Sequence, residues 1–165
     1  MKITTKSEQI TGGLRKSFLD NSCKMANRVC YRYDVRLDGE LTINETEAKI
    51  VRWIFDRYLT GDSLGKIATG LEKQGLLSPS GKAKWNREAI SKLLSNEKYT
   101  GAVLLQKTVS VCGMQFQNDG ELAKVLVKNH HEAIISIEDF EIVQQLKQER
   151  SKGHSQKFCM KLSIG

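Results

Sequence analysis

The sequence predicts a mostly helical α+β fold, with a helix-turn-helix or winged-helix-like core and small β-hairpins. Three amphipathic helical patterns follow one another between residues 44 and 95, and two apolar strand patterns come next, at residues 102–109 and 122–128. A last helical pattern runs from residue 136 to about residue 150. The order helix, loop, helix and two-stranded ribbon is that of a winged helix, with residues 102–128 as the wing. A length of 165 residues fits one domain with loose ends.

The N-terminal part predicts a helix and a hairpin. Residues 4–20 carry apolar side chains at near-helical spacing, although Gly12-Gly13 weakens the pattern. Aromatic and β-branched residues alternate within residues 29–37, and residues 41–43 follow after Asp38-Gly39. Because Asp-Gly favours a tight turn between two strands, a small β-hairpin is expected here.

The first two amphipathic patterns have clear starts and ends. Asn44 can cap a helix over residues 44–59, with Glu47 at the third helical position, as in a capping box. Ser63 can cap a second helix that reaches Gln74, and a glycine closes each of these two helices. The apolar stripes of these helices and of the third predict the core: Ala48, Val51, Ile54, Phe55, Tyr58, Leu64, Ile67, Ala68, Leu71, Ile90, Leu93 and Leu94.

The third helix is expected at Asn86–Ser95, after a loop that holds the only proline, Pro79. Trp85 comes directly before this helix and is interpreted as a staple to the core, with stacking on a nucleic-acid sugar or base as the alternative. Ser136 and Asp139 have the spacing of another capping box and predict the start of the last helix. Its apolar face is expected to consist of Ile137, Phe140, Val143 and Leu146.

Composition favours a cytoplasmic protein with a polyanionic partner. Lys plus Arg number 26 against 19 Asp plus Glu, which gives a net charge of +7. This balance is typical of nucleic-acid binding, although a generic basic protein has it too. The four cysteines form no C-x-x-C pair, so neither a zinc site nor another cofactor is expected, and the thiols are expected to be reduced. No apolar run has the roughly 20 residues of a membrane span.

The third helix and its flanks carry side chains suited to DNA. A helix N-terminus attracts phosphate, Arg and Asn form bidentate contacts with guanine and adenine, and flanking lysines neutralise the DNA backbone. The candidates for contact with base edges are Asn86, Arg87, Ser91 and Lys92. The candidates for contact with phosphate are Lys82, Lys84 and Lys98. A structural interpretation stays open, with Asn86 as an N-cap and the other helical candidates as a solvated face.

No residues are arranged for catalysis. Glu45 and Glu47 are two apart in a helix and point to different faces. His130-His131 with Glu132 lacks a nucleophile or a third metal ligand at a recognisable spacing, so an ordinary loop is expected there. The sequence thus predicts no catalytic residue, no metal site and no small-molecule substrate.

Several short motifs together resemble a known family. They are Gly39-Glu40-Leu41-Thr42-Ile43-Asn44, Ser78-Pro79-Ser80-Gly81, Trp85, Leu93 to Gly101, and Asn129-His130 with Ala133-Ile134-Ile135-Ser136. With them, the stretch from about residue 8 to residue 151 resembles the central recombinase domain of large serine recombinases, the serine integrases. The chain departs from the family at Arg32-Tyr33, where Gly-Tyr is usual, and residues 110–121 match nothing in it.

The resemblance implies a protein of three parts: a catalytic resolvase domain, this domain and a zinc-ribbon domain. Residues 1–20 would end the helix that joins the first two, residues 21–151 would form the DNA-binding domain, and residues 152–165 a flexible tail. The catalytic serine and the zinc ligands would lie in the other two parts, so this chain by itself is not expected to be an enzyme. The implied function is sequence-specific binding of double-stranded DNA at attachment-site half-sites, beside recombinase subunits that associate through the absent domains.

Two other functions also fit the residues. A stand-alone winged-helix transcription regulator would dimerise and bind symmetric operators. A protein-interaction module would use the side of the first amphipathic helix that carries Trp53, and would bind no duplex in a salt-dependent way.

Overall fold

The computed structural model describes residues 16, 33–35, 41–111, 114–120 and 122–162. The helix predicted for residues 4–20 therefore lies outside the described residues, except at Lys16, which is helical. Within the described part, four α-helices and three two-stranded antiparallel sheets form a mostly helical α+β fold, which confirms the predicted class. None of these helices combines the length and the apolar character that a membrane span requires.

The first hairpin forms where the alternating pattern predicts it. Strand β1 (Tyr33–Val35) pairs antiparallel with β2 (Leu41–Ile43), and Tyr33 lies opposite Ile43. Tyr33 and Leu41 are buried, so the hairpin packs one face on the core. The Asp38-Gly39 turn lies outside the described residues.

Helix α1 (Glu45–Leu59) begins and ends as its sequence predicts. The Oδ1 atom of Asn44 accepts a hydrogen bond of 3.2 Å from the Glu47 N–H, which supplies a partner for one of the free amides at the helix start. At the other end Gly61 takes a φ of 101°. Its N–H donates to the Tyr58 carbonyl, and the next N–H donates back to Arg57, which is the Schellman arrangement that favours glycine.

Helix α2 (Leu64–Lys73) also begins at a side-chain N-cap and ends at a glycine. Ser63 Oγ accepts from the Lys66 N–H at 3.3 Å, and Gly75, with a φ of 67°, closes the helix in the Schellman arrangement. Helices α1 and α2 are joined by a short glycine turn and contact each other, and α2 also contacts the helix that follows it.

Helix α3 (Arg87–Leu94) is attached to α2 through Trp85. The indole Nε1–H donates to the Leu76 carbonyl at 2.8 Å, and the Trp85 backbone N–H donates to Glu72 Oε1 at 2.8 Å. The side chain is only 3% exposed, so the predicted staple is confirmed. A 3-10 helix, Glu97–Thr100, follows α3 and was not predicted.

The wing consists of two antiparallel strand pairs instead of one ribbon, and the chain of the second pair lies between the two strands of the first. Strand β3 (Val103–Leu105) pairs with β6 (Val125–Val127), and β4 (Thr108–Val111) pairs with β5 (Met114–Gln117). The prediction of an unbroken strand over residues 102–109 is wrong, because Gln106 adopts a left-handed φ of 59° that ends β3. The unassigned tip thus contains a second hairpin.

The last helix, α4 (Ile137–Leu162), starts at the predicted capping box. Ser136 Oγ accepts from the Asp139 N–H at 3.0 Å and donates to the Asp139 carboxylate at 2.8 Å. The predicted end near Arg150 is wrong, because the helix runs on to Leu162. Once a helix is nucleated, each further residue adds a hydrogen bond and needs no apolar partner. The prediction that residues 152–165 are flexible stays a prediction.

The core joins the hairpin, the helices and the 3-10 helix. Tyr99 has no exposed surface and lies 6.3 Å from the Phe55 ring and 6.4 Å from the Tyr33 ring, measured between centroids. Helix α4 contributes the buried Val143, whereas Ile137, which the periodicity predicts for its apolar face, is 51% exposed. All the other predicted core positions of α1 to α3 are buried except Leu64, which is partly buried.

Candidate nucleic-acid interface

The loop before α3 is a fixed turn that exposes two lysines. The Ser78 N–H donates to the Lys82 carbonyl at 2.8 Å, and the Lys82 N–H donates to Ser78 Oγ at 3.1 Å. Gly81 takes a φ of 74° inside this turn, which a residue with a side chain rarely adopts. Because Ser78 is buried, the turn is tied to the molecule, and the side chains of Lys82 and Lys84 extend into solvent.

Asn86 caps α3, as its structural interpretation proposed. Its Oδ1 accepts from the Glu88 N–H at 3.0 Å, and the residue remains exposed. The cap uses the oxygen of the side chain, so the amide nitrogen is the group with which Asn86 could donate to a base or a phosphate.

Arg87 is exposed and lies against α2. A Cβ atom placed on Gly65 would be 3.1 Å from Arg87 Nη2 and 3.3 Å from Nε, so the guanidinium lies directly over the bare backbone of that glycine. The two residues line an open cleft between α2 and the start of α3. Lys66 and Lys73 line the same cleft, so an anion that enters it meets three cationic side chains.

Ser91 borders a second cleft, towards α4. The Ser91 carbonyl accepts from Lys147 Nζ at 2.8 Å, and the same ammonium contacts Ser95 Oγ. Partial burial lowers the pKa of Lys147. Arg150 lies beside it, with its guanidinium 4.3 Å from the centroid of the Tyr58 ring. Ser91 thus faces helix α4 and two basic side chains.

Lys92 is engaged in an ion pair on the exposed face of α3. Its Nζ lies 2.8 Å from Glu88 Oε1, one helical turn earlier. The hydrogen bond from Lys92 and its charge lower the pKa of Glu88. Solvent screens an exposed pair of this kind and its contribution to stability is small, so the pair does not prevent Lys92 from binding a phosphate.

Lys98 belongs to a different set of contacts. Its carbonyl accepts from His131 Nε2 at 2.6 Å and from the Tyr33 hydroxyl at 3.3 Å. A carbonyl can only accept, so His131 carries a proton on Nε2. When His131 is neutral, its Nδ1 therefore accepts from His130 Nδ1–H at 3.2 Å. Lys98 therefore lies where β1 and the segment before α4 meet, whereas the Arg87 side chain lies against α2.

The histidine pair is a structural joint in the described part of the chain. Burial lowers the pKa of His130 and of His131, and the positive charge of Lys98 lowers both further. The His131 ring meets the edge of Tyr33 with centroids 4.7 Å apart. Within the described ranges, no three His, Cys, Asp or Glu side chains are grouped so that they could hold a metal ion.

The structure brings some of the predicted DNA-contact residues together, separates others from them, and places further basic residues nearby. Lys82, Lys84, Asn86 and Arg87 surround the start of α3, while Ser91 faces α4 and Lys98 lies elsewhere. Sequence reasoning missed four basic residues that line the two clefts: Lys66, Lys73, Lys147 and Arg150. The one available signal was the first turn of α2, which has no acidic residue although those of α1 and α3 do.

Comparisons with known proteins agree with this architecture. The family model described as Recombinase matches residues 45–150, which is more than half of the chain. A solved structure described as a crystal structure of an LSR–DNA complex is 26% identical with a TM-score of 0.59, over 87% of this chain and 39% of that one. A second, described as concerning the sequence requirements of the Listeria innocua prophage attP site, is 28% identical with a TM-score of 0.54. There the match covers 81% of this chain and 51% of the other, so this chain spans about half or less of either solved chain.

Proposed function

Because this chain belongs to the Recombinase family of large serine recombinases, we propose that it binds double-stranded DNA sequence-specifically at attachment-site half-sites. It would do so as the noncatalytic part of a site-specific serine recombinase. The observation that carries this proposal is the start of α3, where an exposed arginine and two exposed lysines surround a helix N-terminus. The same helix is anchored from behind by the buried Ile90, Leu93 and Leu94.

Each group at this surface has a role that its chemistry supports. Arg87 presents a planar fork that fits the O6 and N7 atoms of guanine. Lys82 and Lys84 supply exposed ammonium groups that neutralise phosphates and fix the position of the helix on the duplex. Asn86 keeps an amide nitrogen as a donor. Lys92 is free to reach DNA once its exposed pair with Glu88 opens.

Ser91 and Lys98 remain in the proposal with narrower roles. Ser91 faces the cleft that Lys147 and Arg150 line, so a phosphate at that cleft is the DNA group within its reach. Lys98 would meet a phosphate on the side of the molecule where β1 lies. Two neighbouring lysines, Lys66 and Lys73, extend the basic surface along α2.

The remaining features of the proposal concern the whole protein. Residues 1–20 would end a helix that leads from a catalytic domain, residues 21–151 would be the DNA-binding domain, and residues 152–165 a tail. Strand exchange would then depend on a serine in another domain, and subunits would associate through domains other than this one. The protein would act in the cytoplasm.

The test compares the affinity for a preferred DNA sequence with the affinity for random DNA. Duplexes that the chain selects from a library with a randomised core are compared with random duplex, for the parent and for Arg87→Ala. We expect the substitution to cost about 1–3 kcal/mol, or roughly 5- to 150-fold, on the selected duplex and to relax the preference at one base pair. Random duplex should lose much less, because one phosphate contact at most is removed.

A matched control is Arg52→Ala. Arg52 is an exposed arginine of α1 that pairs with Glu45 at 3.0 Å and donates to the Ile134 carbonyl, so its contacts lie outside the α2–α3 surface. Its removal should leave both affinities unchanged. Equal losses for Arg87→Ala on selected and random duplex would refute base reading by Arg87. If the parent chain binds no duplex in a salt-dependent way, the whole proposal fails and a protein-interaction role takes its place.

A further inference from the structure

Helix α2 contains a glycine at a position where its backbone needs none. Gly65 lies in the first turn of α2 and has no left-handed φ, so alanine fits its backbone conformation equally well. A glycine inside a helix costs roughly 1 kcal/mol of helix stability relative to alanine. The reason for glycine at this position must therefore be the space that its missing side chain leaves.

The Arg87 side chain occupies that space. An added Cβ at residue 65 would come within 3.1 Å of Arg87 Nη2, 3.3 Å of Nε and 3.4 Å of Cζ, which are three atoms of the guanidinium group. The distances to Nη2 and Nε are shorter than ordinary van der Waals contacts, so the group would have to shift by a few tenths of an ångström. It can shift, because it is the far end of a flexible side chain.

The other glycine of the same helix shows the contrast. A Cβ on Gly70 would lie 2.7 Å from the indole of Trp53, which is packed against the core. Gly70 therefore admits a packed aromatic ring of α1. Gly65 leaves room for the exposed guanidinium of Arg87, and core packing does not explain this contact.

We infer that Gly65 is a positioning residue for Arg87: its bare backbone holds the guanidinium along the start of α2, in the orientation from which it meets DNA. This inference rests on the proposed function. An arginine has several rotatable bonds, and fixing such a side chain on binding costs affinity. A side chain that already lies along α2 has lost part of that freedom before DNA arrives.

The first experiment is a double-mutant cycle with Gly65→Ala and Arg87→Ala on duplex selected by the parent chain. We expect Gly65→Ala to weaken binding to the selected duplex by roughly 2- to 12-fold, which corresponds to the ordering of one long side chain. It should leave random duplex unchanged. In the Arg87→Ala background it should have no further effect, because the group that it displaces is gone.

Stability separates positioning from damage to the fold. Alanine favours the helix over glycine, so we expect the melting temperature of Gly65→Ala to equal or exceed that of the parent. A binding loss together with unchanged or higher stability supports the inference. A lower melting temperature would mean that the Arg87 side chain does not yield to the Cβ, and would overturn it.

A measurement without DNA tests the contact directly. The nitrogen relaxation of the Arg87 Nε–H group reports how ordered the side chain is on the picosecond to nanosecond timescale. We expect higher order in the parent than in Gly65→Ala. Equal order in the two proteins would overturn the inference, even if Arg87 reads a base. If Arg87→Ala leaves base preference intact, the proposed role of Arg87 fails, and the positioning inference for DNA fails with it, although the relaxation result still reports the contact.

Discussion

Trp85 and Arg87, which are separated by one residue, show how the start of α3 is built. Trp85 is buried and donates hydrogen bonds from its indole and its backbone, so the chain before α3 has one place on α2. Arg87 is exposed and lies over Gly65. Trp85 thus fixes the backbone position from which the Arg87 side chain extends. A side chain on a fixed backbone loses less freedom when it binds, which favours affinity without any additional contact.

Lys82, in the loop before α3, gives a further prediction. Lys82→Ala should weaken binding to selected and random duplex alike, because phosphate contacts carry no sequence information. It should also reduce the slope of log Kobs against log salt concentration by about one, since one fewer counterion is released. Binding titrations over a range of salt concentrations measure both effects. Lys49→Ala, an exposed lysine on α1, is the control and should leave the slope as it is. An unchanged slope for Lys82→Ala would remove this residue from the interface.

Among the elements, the distal hairpin of the wing depends on a single buried polar side chain. Asn118 has no exposed surface and donates from Nδ2 to the carbonyls of Gln106 and Leu122, at 2.7 and 2.8 Å. Its Oδ1 accepts from the N–H groups of Gly120 and Leu122, and its own N–H donates to Lys107. Asparagine is well suited here because its amide both donates and accepts. The hairpin β4–β5 is thereby joined to β3–β6, whose apolar cluster is separate from the main core.

We therefore expect Asn118→Ala to loosen the wing and to leave the helices intact. Removing one partner of several buried hydrogen bonds costs more than about 2 kcal/mol, because the remaining carbonyls and amides lose their partners. Amide hydrogen exchange should accelerate over β3 to β6 and stay slow over α1 and α3, since regions open as separate units. Asp119→Ala, at the exposed neighbouring residue, serves as the control. Equal acceleration in the helices would show that the wing and the core unfold together.

Across the whole molecule, one joint connects segments that are far apart in the chain. The Tyr33 hydroxyl donates to the Glu132 carbonyl at 3.0 Å and to Lys98 at 3.3 Å, and His131 donates to the same Lys98 carbonyl. These bonds exclude only the state in which both histidines are protonated, because one of the two Nδ1 atoms must accept from the other. The joint fastens the first hairpin to the 3-10 helix and to the segment that leads into α4.

The stability of the molecule should consequently depend on pH. Burial lowers the pKa of both histidines from the ordinary value of 6.5, so the unfolded chain binds more protons than the folded one below that value. The stability that the neutral pair contributes is present above about pH 6.5 and is lost as the pH falls through the folded pKa values. The lowered pKa values of Glu45 and Glu88 act in the same direction, but below their ordinary value of 4.5.

Urea unfolding between about pH 5 and pH 8 measures this dependence. The free energy of unfolding of the parent should fall towards the acidic end of the range. A variant with both His130→Gln and His131→Gln should show a flatter profile, because it has no imidazole to protonate at the joint. The same slope in parent and variant would mean that the histidines do not couple protonation to folding.

The sequence by itself determined the parts of this protein that depend on neighbouring residues. The N-caps Asn44, Ser63 and Ser136 could be predicted because their side chains can accept a hydrogen bond from an amide three residues further on. The glycines that end helices could be predicted because glycine tolerates a left-handed φ. The helical core positions follow from a period of 3.6 residues. The family motifs belong to the same class, since they are read directly from residue order.

Only the tertiary structure decided which side chains meet across the fold. The contact of Arg87 with Gly65, the position of Ser91 beside Lys147, and the hydrogen bonds of Asn118 each join residues that no local rule connects. The end of α4 and the break at Gln106 were missed for the opposite reason, because a helix extends without an apolar pattern and a single left-handed residue leaves no periodic signal. Periodicity predicts the face of an element, and the packing of elements decides what that face touches.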